Sequence, residues 1–448
     1  RLREAFATGK RRLVLQLATG GGKTEIAMAM ARGAIDKGRK VLFAAERITL
    51  VNQSAKRFND AGFRVGVIRS NHPGRDDDAP LQVASVQTLA RRNIPADQWG
   101  LAIVDEVHVR HKSLQEYLNR MNGTPIVGLS ATPWSKGLGK EYDGLVVGAT
   151  TSELIAQGYL VDTDVYGPAQ PDMSGVKKTM GRYGKDFEEN ETAKRAMRIV
   201  GDVGENWLRY GQDRQTAMFA VNIAHSKALV EAFKTAGVPA VHLDAYSDGD
   251  ERAEAFEGFR NGNYRIISSV DVLGRGWDEP MVGCLIDARP THSLIRHIQV
   301  LGRALRPAPG KDRAIILDLA GNTLRHGFVT DPLPEELDDG TKAESEKKER
   351  DIPLPKPCPK CFFMKPPKVH ECPKCHFKPV AQSKVIHEEG ELTRISKSEA
   401  RAMNLVERDR VYAEMLGYCR EKGWKPGWAW FKCREMFGNA PRTKPAPI

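Results

Sequence analysis

The chain repeats one pattern of positions: a short apolar run, a polar or glycine-rich turn, and then apolar residues at helical spacing. Residues 11–35 (RRLVLQLATGGGKTEIAMAMARGAI) show it most clearly, and residues 99–108 (WGLAIVDEVH) repeat its strand and turn. This alternation predicts parallel α/β architecture with functional loops at the carboxyl ends of strands. Because the pattern resumes near residue 215 after a less regular region, we predict two lobes, at 1–160 and 195–328.

The remaining segments do not show this strand–turn–helix pattern. Residues 161–194 carry glycine and lysine without apolar period at first, and we interpret them as the interlobe connection. Residues 329–356 are proline-rich and densely charged, which predicts a linker because such a segment buries too little apolar surface to form a core. A cysteine cluster at 357–380 and a helical, aromatic-rich tail at 395–440 complete the predicted organisation.

Length and composition fit a folded protein of several domains. The chain has 448 residues, of which 41% are hydrophobic and 28% charged. No run approaches the ~20 apolar residues of a membrane span, and the first residues lack the apolar core of a signal peptide. We therefore expect the cytoplasm, or a host cytoplasm. The chain opens at Arg1 within a helical pattern, so we expect further residues upstream.

Charge adds a weaker indication. The net charge is +11, and the C-terminal segment is basic. A basic surface favours a polyanionic partner because neutralised phosphates release their counterions, although an ordinary soluble surface explains the charge equally well.

A glycine-rich loop follows the first predicted strand. Its residues are Thr19, Gly20, Gly21, Gly22, Lys23 and Thr24. Glycines let backbone N–H groups turn toward phosphates at a helix N-terminus, so we expect Lys23 to reach the β- and γ-phosphates of ATP and Thr24 to bind Mg²⁺. Leu17 stands where the strict phosphate-loop pattern has its first glycine, which leaves a structural turn as the alternative.

Two carboxylates follow a second buried strand. Asp105 and Glu106 come directly after four apolar residues. We predict that Asp105 holds Mg²⁺ and that Glu106 orients or deprotonates the attacking water. Adjacent acids are usually a solvated turn, but a phosphate loop earlier in the same pattern favours a nucleotide site.

These motifs resemble those of superfamily 2 helicases and translocases, including type III restriction subunits. The residues Asp105-Glu106-Val107-His108 resemble the family's DEAH-like box, and further matches follow in the family's order: Ser130–Pro133 (SATP), residues 268–280 (SSVDVLGRGWDEP) and residues 299–306 (QVLGRALR). The resemblance covers nearly all of residues 13–306. It implies two tandem RecA-like lobes with ATP held between them.

The resemblance also implies roles for single residues. The positions that would couple nucleotide state to lobe movement are His108, Ser130 and Thr132. Those that would complete the ATP site from the second lobe are Gly276, Asp278 and Gln299. Arg303 and Arg306 would act as arginine fingers on the γ-phosphate, a role that suits a planar, permanently charged donor.

The family's nucleic-acid contacts match segments that could equally be ordinary loops. The matching residues are Arg47, Gln53, Gln87, Thr88, Asn222 and His225. The family's adenine-reading glutamine motif is not visible in the sequence.

Four cysteines form two CPxC pairs. Cys358 with Cys361 and Cys372 with Cys375 can each place two thiolates on one turn, and four sulfurs can enclose a structural Zn²⁺. Disulfides are disfavoured in a cytoplasmic protein, and redox pairs would not explain the duplication. We expect the neighbouring histidines, His370 and His376, not to bind the metal.

The final segment combines helical period with aromatic and basic residues. Trp424, Trp428, Trp430 and Phe431 could stack on unpaired bases, or they could form the core of a small helical domain, which is the more common arrangement. The order of parts, from motor core to four-cysteine finger to this tail, resembles the RadD-like branch of bacterial and phage helicases associated with DNA repair and recombination.

Three hypotheses about function result. The first is a monomeric ATP-dependent DNA helicase or translocase that uses ATP, Mg²⁺ and a structural Zn²⁺, acts in repair, recombination or replication, and partners with single-strand-binding or repair proteins. The second is an RNA-dependent ATPase or the motor subunit of a restriction complex. The third, outside enzymes, is a zinc-dependent nucleic-acid-binding scaffold.

Overall fold

A computed structural model of the protein describes residues 1–69, 72–92, 94–167, 173, 175–181, 184–196, 203–270, 272–273, 277, 279–341, 355–366, 369, 371–378, 408–417, 419–420 and 426–437. The chain divides into two compact units, residues 1–379 and 380–448. In the described part of the chain, no helix is both long and apolar enough to cross a bilayer.

The first lobe is built on seven strands. They are β1 (Arg12–Gln16), β2 (Lys40–Ala45), β3 (Val65–Ile68), β4 (Leu81–Ser85), β5 (Trp99–Val104), β6 (Ile126–Ser130) and β7 (Gly144–Val147). They form one sheet in the order β3-β4-β2-β5-β6-β1-β7, and its pairings are parallel. Successive residues of a strand enter separate apolar clusters: Val14 and Leu42 enter one, Leu15 and Phe43 the other. Both faces are covered, which explains the continuous apolar runs.

Helices cover both faces of this sheet. They are α1 (Leu2–Ala7), α2 (Lys23–Ile35), α3 (Ile48–Asp60), α4 (Val86–Arg91) and α5 (Lys112–Leu118), with a 3₁₀ turn at Leu138–Lys140. The next helix, α6 (Thr151–Ala156), follows β7, and its Leu154 enters the core of the second lobe. The start of α6 is fixed by a capping box, in which the Thr150 hydroxyl accepts from the Glu153 N–H and the Glu153 carboxylate accepts from the Thr150 N–H.

The second lobe is also built on a parallel sheet with helices. Its strands and those of an attached hairpin are β8 (Asp162–Tyr166), β9 (Lys178–Gly181), β10 (Gly184–Phe187), β11 (Thr216–Phe219), β12 (Ala240–Leu243), β13 (Ile266–Ser269), β14 (Cys284–Asp287) and β15 (Arg313–Asp318). Six of them form a parallel sheet in the order β12-β13-β11-β14-β15-β8, while β9 and β10 pair only with each other, antiparallel. Its helices are α7 (Glu189–Ala196), α8 (Val203–Tyr210), α9 (Ile223–Thr235), α10 (Gly249–Arg260), α11 (Leu294–Leu301) and α12 (Asn322–His326). The α/β prediction with two RecA-like lobes is confirmed.

The predicted boundary between connection and second lobe is wrong. Strand β8 lies inside the predicted connection of 161–194, yet it pairs with β15 as an edge strand of the second sheet. It lacks an apolar run because an edge position is partly open. Its acids are paired instead: the Arg313 guanidinium donates to Asp162 and Asp164 at 2.8 Å each.

The predicted linker is also wrong over residues 329–341, which we call the strap. The strap leaves the core of the second lobe, where Val329 is 3% exposed, and reaches the core of the first, where Leu337 packs. The packing of the strap is not evident from the sequence, because Leu337 lies in a charged segment whose Glu335 and Glu336 are exposed.

Hydrogen bonds fix the strap to the preceding part of the chain, and the Ser152 hydroxyl donates one of them to the Thr330 carbonyl at 3.0 Å. The Trp134 indole N–H donates to the Pro334 carbonyl at 2.9 Å, and the Gly139 N–H donates to the Asp338 carbonyl at 2.8 Å. The strap therefore joins the lobes a second time, beside the direct chain connection.

The C-terminal unit contains a helix at Gly427–Phe437 and helical residues at 408–417 and 419–420. Tyr412, Cys419, Ala429 and Cys433 form its small core, with Trp430 packed against it. Trp428, by contrast, is 40% exposed. Trp424 and the Phe431 side chain lie outside the described residues. Of the two described tryptophans, one therefore supports the core interpretation and one remains open to solvent.

We predict that the strap stabilises the first lobe. Leu337→Ala should lower its stability by about 1–2 kcal/mol, because a partly buried leucine loses apolar contact and leaves a void. Thermal unfolding should show a fall of a few degrees in the midpoint. The matched control is Leu208→Ala, since Leu208 is 59% exposed and its truncation should change little. Equal effects of the two variants would contradict a packed strap.

Candidate ATP site between the lobes and a four-cysteine cluster

The phosphate loop lies between β1 and α2, at the carboxyl edge of the first sheet. Gly22 is the N-cap of α2 with φ 81°, a left-handed conformation that favours glycine. A Cβ at Gly21 would lie 2.9 Å from the Leu154 side chain, so close packing restricts that position too. Lys23 and Thr24 open a 13-residue helix, whose first N–H groups form an anion-binding end.

Asp105 and Glu106 follow β5 at the same edge. Strands β5 and β1 flank β6, so these acids and the phosphate loop lie close together. Glu106 has φ 48°, an uncommon conformation for a non-glycine residue that costs on the order of 1 kcal/mol. Such strain often accompanies a functional constraint, and here it fixes the direction in which the carboxylate leaves the strand. Glu106 Oε2 lies 3.3 Å from His108 Nδ1.

A buried chain of hydrogen bonds joins the two lobes. Gln299 Nε2, on α11, lies 2.9 Å from His108 Nε2 and 3.2 Å from Thr132 Oγ1. Since the Gln299 amide nitrogen is a donor, His108 Nε2 accepts, and its Nδ1–H is left to donate to Ser130 Oγ at 2.8 Å. The Ser130 hydroxyl also accepts from the Thr132 N–H at 3.0 Å. All four side chains are less than 9% exposed.

The segment that follows α11 brings Arg306 to the phosphate loop. A Cβ at Gly20 would lie 3.5 Å from Arg306 Cγ, so the Arg306 side chain lies against the loop. Burial, and secondarily Arg57, lowers the pKa of Arg306 to about 10, so that it stays protonated at neutral pH. Arg303 Nη1 donates to the Trp277 carbonyl at 2.8 Å. The other two predicted second-lobe residues, Gly276 and Asp278, lie outside the described residues.

The root of α11 is held by a buried polar cluster. Asp287 and Asp318 end the adjacent strands β14 and β15, and Asn322 bonds to both of them. Burial and the Asp318 carboxylate raise the pKa of Asp287. The next loop is tied to the same group, because Asn322 accepts from the Thr291 N–H at 2.9 Å. The helix α11, which leads to Arg303 and Arg306, therefore starts from a fixed base.

The predicted nucleic-acid residues lie at the carboxyl ends of β2, β4 and β11. Arg47 is the N-cap of α3, Gln87 and Thr88 open α4, and Gln53 is exposed on α3. In the second lobe, Asn222 caps α9 by accepting from the His225 N–H at 2.9 Å. Apart from His225, these residues stay predicted nucleic-acid contacts.

His225 is an exception. Its side chain is only 1% exposed and its Nδ1 accepts from the Val221 N–H at 3.3 Å. Burial lowers its pKa to about 4, so the ring is neutral at physiological pH. The prediction that this side chain contacts nucleic acid is wrong, because the ring packs inside the lobe.

The four cysteines come together as predicted. Their Sγ atoms all lie within 4.8 Å of one another, with Cys358 Sγ 3.7 Å from Cys375 Sγ and Cys361 Sγ 3.6 Å from Cys372 Sγ. Tetrahedral bonds of about 2.3 Å from zinc to sulfur require sulfurs roughly 3.8 Å apart. The cluster can therefore hold a metal ion. His376 is bonded instead to Glu371, while His370 lies outside the described residues.

The cysteine cluster is packed against the second lobe. Cys358 and Cys372 are fully buried in the same core cluster as Tyr166 of β8 and Trp207 of α8. The cluster has two short strands, β16 (Lys356–Pro357) and β17 (Met364–Lys365), which pair with each other, and β17 lies beside β8. Lys374 donates to Asp164 at 2.8 Å, and the Gly167 N–H donates to the Phe362 carbonyl at 3.1 Å. The finger covers the open edge of the second sheet, which a strand at that position otherwise exposes.

Two RecA-like lobes that share a phosphate loop, strand-end acids and arginines across one interface define an ATP-hydrolysing motor. Two family models match the chain. "Type III restriction enzyme, res subunit" matches residues 1–135, and "Helicase conserved C-terminal domain" matches residues 201–308. These two matches identify the lobes as helicase domains of the superfamily 2 type, and the predicted enzyme class is confirmed.

Curated relatives agree with this class. A 51.5 kDa protein of Lactococcus phage (isolate 7-9) is 27% identical over 407 residues, which are 90% of this chain and 84% of the relative. A Saccharomyces cerevisiae protein assigned as the ATP-dependent helicase IRC3 is 27% identical over 340 residues, or 70% of this chain. The chain spans 49% of that relative's length.

Solved structures show the same fold. A fragment assigned as the HsdR subunit of a Vibrio vulnificus type I restriction enzyme matches with a TM-score of 0.58 at 18% identity, covering 75% of this chain and 67% of that one. The type ISP restriction-modification enzyme LlaBIII bound to DNA matches with a TM-score of 0.52 at 17% identity, covering 70% of this chain and 26% of that one.

Gly302 is a site residue that the sequence motif contained but did not explain. A Cβ there would lie 2.5 Å from Thr19 Cβ, in the phosphate loop. Only glycine lets α11 end so close to that loop. Motif spacing could not show this contact, because Thr19 and Gly302 are far apart in the sequence and lie on different lobes.

We predict that Gly302→Ala impairs ATP turnover by pushing the arginines away from the phosphate loop. Thr19 is β-branched and cannot swing aside cheaply, so kcat should fall at least about tenfold, the equivalent of 1.4 kcal/mol. Steady-state phosphate release measures it. Gly249→Ala is the matched control, because a Cβ at Gly249 meets nothing within 4 Å. Wild-type turnover in Gly302→Ala would contradict a tight interlobe contact.

Proposed function

We propose that this protein is an ATP-driven DNA translocase or helicase. The observation that carries the proposal is the buried chain from Ser130 and His108 to Gln299, beside a phosphate loop contacted by Arg306. Groups on both lobes meet at one nucleotide site, so ATP binding and hydrolysis can favour closed and open arrangements in turn. Alternating grip on a strand converts that cycle into movement.

Each residue of the site has a proposed role. Lys23 binds the β- and γ-phosphates, and Glu106 orients or deprotonates the attacking water. Arg303 and Arg306 stabilise charge on the transferred phosphoryl group. His108, Ser130, Thr132 and Gln299 act as positioning residues that report the nucleotide state across the interface.

Thr24 and Asp105 supply the site's metal-binding oxygens. A hydroxyl and a carboxylate are hard oxygen donors, and both lie at the carboxyl edge of the first sheet, so the donor set fits Mg²⁺. When bound, Mg²⁺ supplies neutralisation of phosphate charge. We include Gly276 and Asp278 in the proposed ATP site from their motif alone.

We propose DNA as the nucleic acid. LlaBIII is described as bound to DNA, which supports the choice. The alternative is RNA, because a yeast Dbp5 structure described as bound to RNA has a TM-score of 0.50 at 14% identity. Work in repair, recombination or replication, in a bacterial or phage-infected cytoplasm and with single-strand-binding or repair proteins, remains part of the proposal, as does the RadD-like branch.

The proposed function predicts DNA-stimulated ATP hydrolysis that depends on the strand-end groups. Lys23→Ala should abolish turnover by removing the phosphate contact. Glu106→Gln should lower kcat by at least about a hundredfold while ATP still binds, since loss of a general base typically costs 10²–10⁴-fold. Phosphate release and binding of a fluorescent ATP analogue separate the two variants. Unchanged turnover in either variant would refute the assignment.

Comparing stimulation by single-stranded DNA, duplex DNA and RNA tests the choice of nucleic acid. We expect DNA to give the larger stimulation. Greater stimulation by RNA would replace the DNA proposal with the RNA-dependent alternative. Nucleic-acid binding without any ATP turnover would favour the scaffold hypothesis.

We also propose that the cysteine cluster binds one structural Zn²⁺. Cys361→Ala should lose the metal and lower the melting temperature of the second lobe, because the cluster shares a core with Tyr166 and Trp207. Metal content by mass spectrometry and thermal unfolding measure both effects. His376→Ala is the control and should retain one equivalent of zinc. A wild-type protein that takes up no zinc would contradict the proposal.

A further inference from the structure

The hairpin β9–β10, with the two residues before it, carries an excess of positive charge. Its residues 176–187 contain Lys177, Lys178, Arg182 and Lys185 against one acid, Asp186. The three lysines are exposed, and so is Met180 at 76%. A two-stranded hairpin is barely stable by itself, so its position depends on what holds its root.

The single acid of the hairpin is used as an anchor. The Asp186 carboxylate accepts from the Thr291 hydroxyl at 2.7 Å and from the His292 N–H at 2.6 Å. The Phe187 ring lies against His292 and under the Arg325 guanidinium. Lys178 donates to His292 Nε2 at 2.8 Å. These contacts fix the root to the loop that leads into α11, the helix of Gln299.

The segment after the hairpin lies against another part of the second lobe. The Glu188 carboxylate caps α7 by accepting from the Asn190 and Glu191 N–H groups, so this acid too is directed away from the hairpin. On α7, Ala193 and Ala196 pack against Val221. Val221 immediately precedes Asn222, a predicted nucleic-acid contact at the end of β11.

The far end of the hairpin has a mixed surface. Met180 and Lys185 are directly opposite in the register, so their side chains share one face. An exposed apolar side chain beside a cation suits a nucleic-acid strand, since the cation pairs with a phosphate while the apolar group contacts a base or sugar.

We propose that the hairpin β9–β10 is a DNA-strand-binding element of the second lobe, fixed through Asp186 to the loop before α11. The inference rests on the proposed function. The proposed DNA contact lies outside the segments that match the family's motifs. It is anchored to the loop that leads into α11.

The salt dependence of binding tests the inference in the full-length protein. Affinity for a fluorescein-labelled single-stranded DNA oligonucleotide is measured by anisotropy over a range of salt concentrations. Each lost phosphate contact on a single strand reduces the slope of log affinity against log salt by about 0.7, so Lys177→Ala with Lys185→Ala should reduce it by about 1.4. The control is Lys37→Ala with Lys234→Ala. Both lysines are exposed; Lys37 follows α2 and Lys234 lies in the last turn of α9, so each is at the amino-terminal edge of its sheet, away from the predicted DNA contacts.

A third variant separates anchoring from simple charge. Asp186→Ala removes a negative charge, which would strengthen DNA binding if the hairpin acted only through its net charge. If Asp186 positions the hairpin, its loss should weaken binding several-fold. Equal or stronger binding by Asp186→Ala overturns the anchoring role.

The remaining outcomes are distinct. A hairpin double variant with the same salt slope as the control overturns the hairpin inference alone, provided that DNA stimulates the unmodified protein's ATPase. Absence of that stimulation in the unmodified protein overturns the proposed function and this inference with it.

Discussion

The hydrogen bonds that Gln299 donates to His108 and Thr132 impose the constraint on which the motor arrangement depends. Inside a protein a polar group without a partner costs about 1–3 kcal/mol, and these groups are buried where the two lobes meet. Their partners are on opposite lobes, so burial and satisfaction occur at the same moment. That single requirement fixes the height and rotation of α11 against the first sheet, and with it the positions of Arg306 and Gly302 at the phosphate loop.

The surrounding structure holds the two ends of this chain. On the first lobe, His108 is fixed by Ser130 and follows a Glu106 whose backbone is in a strained conformation. On the second lobe, the buried cluster around Asn322 holds the loop that precedes α11. The strap adds a second connection between the lobes, and the cysteine cluster closes the edge of the second sheet. Parts that look like appendages in the sequence therefore pack against the lobes that meet at the ATP site, the strap against both and the cysteine cluster against the second.

The sequence predicted features that depend on near neighbours. The phosphate loop, the acids after β5 and the cysteine pairs each occupy a few consecutive residues, where glycine, strand and turn preferences act locally. It failed where the partner was distant. Strand β8 lacks an apolar run and is recognisable only by its pairing with β15, and the strap shows its apolar contact only when Leu337 meets the first lobe. His225 matched a contact motif, yet its burial is decided by the packing of α9, which no local pattern displays.

The chemistry of the interlobe chain also suits repeated opening. An apolar interface of similar size would resist separation in proportion to its area, at roughly 25 cal/mol per Å². A hydrogen bond between polar groups contributes only about 0.5–1.5 kcal/mol net, because water replaces the lost partner once the lobes part. The hydrogen bonds of Ser130, Thr132 and Gln299 can therefore fix one closed arrangement and still break at a low cost in free energy. In the proposed cycle, closure takes its energy mainly from ATP, because phosphates held by the loop would reach the arginines only when the lobes are together. Closure would then depend on the nucleotide.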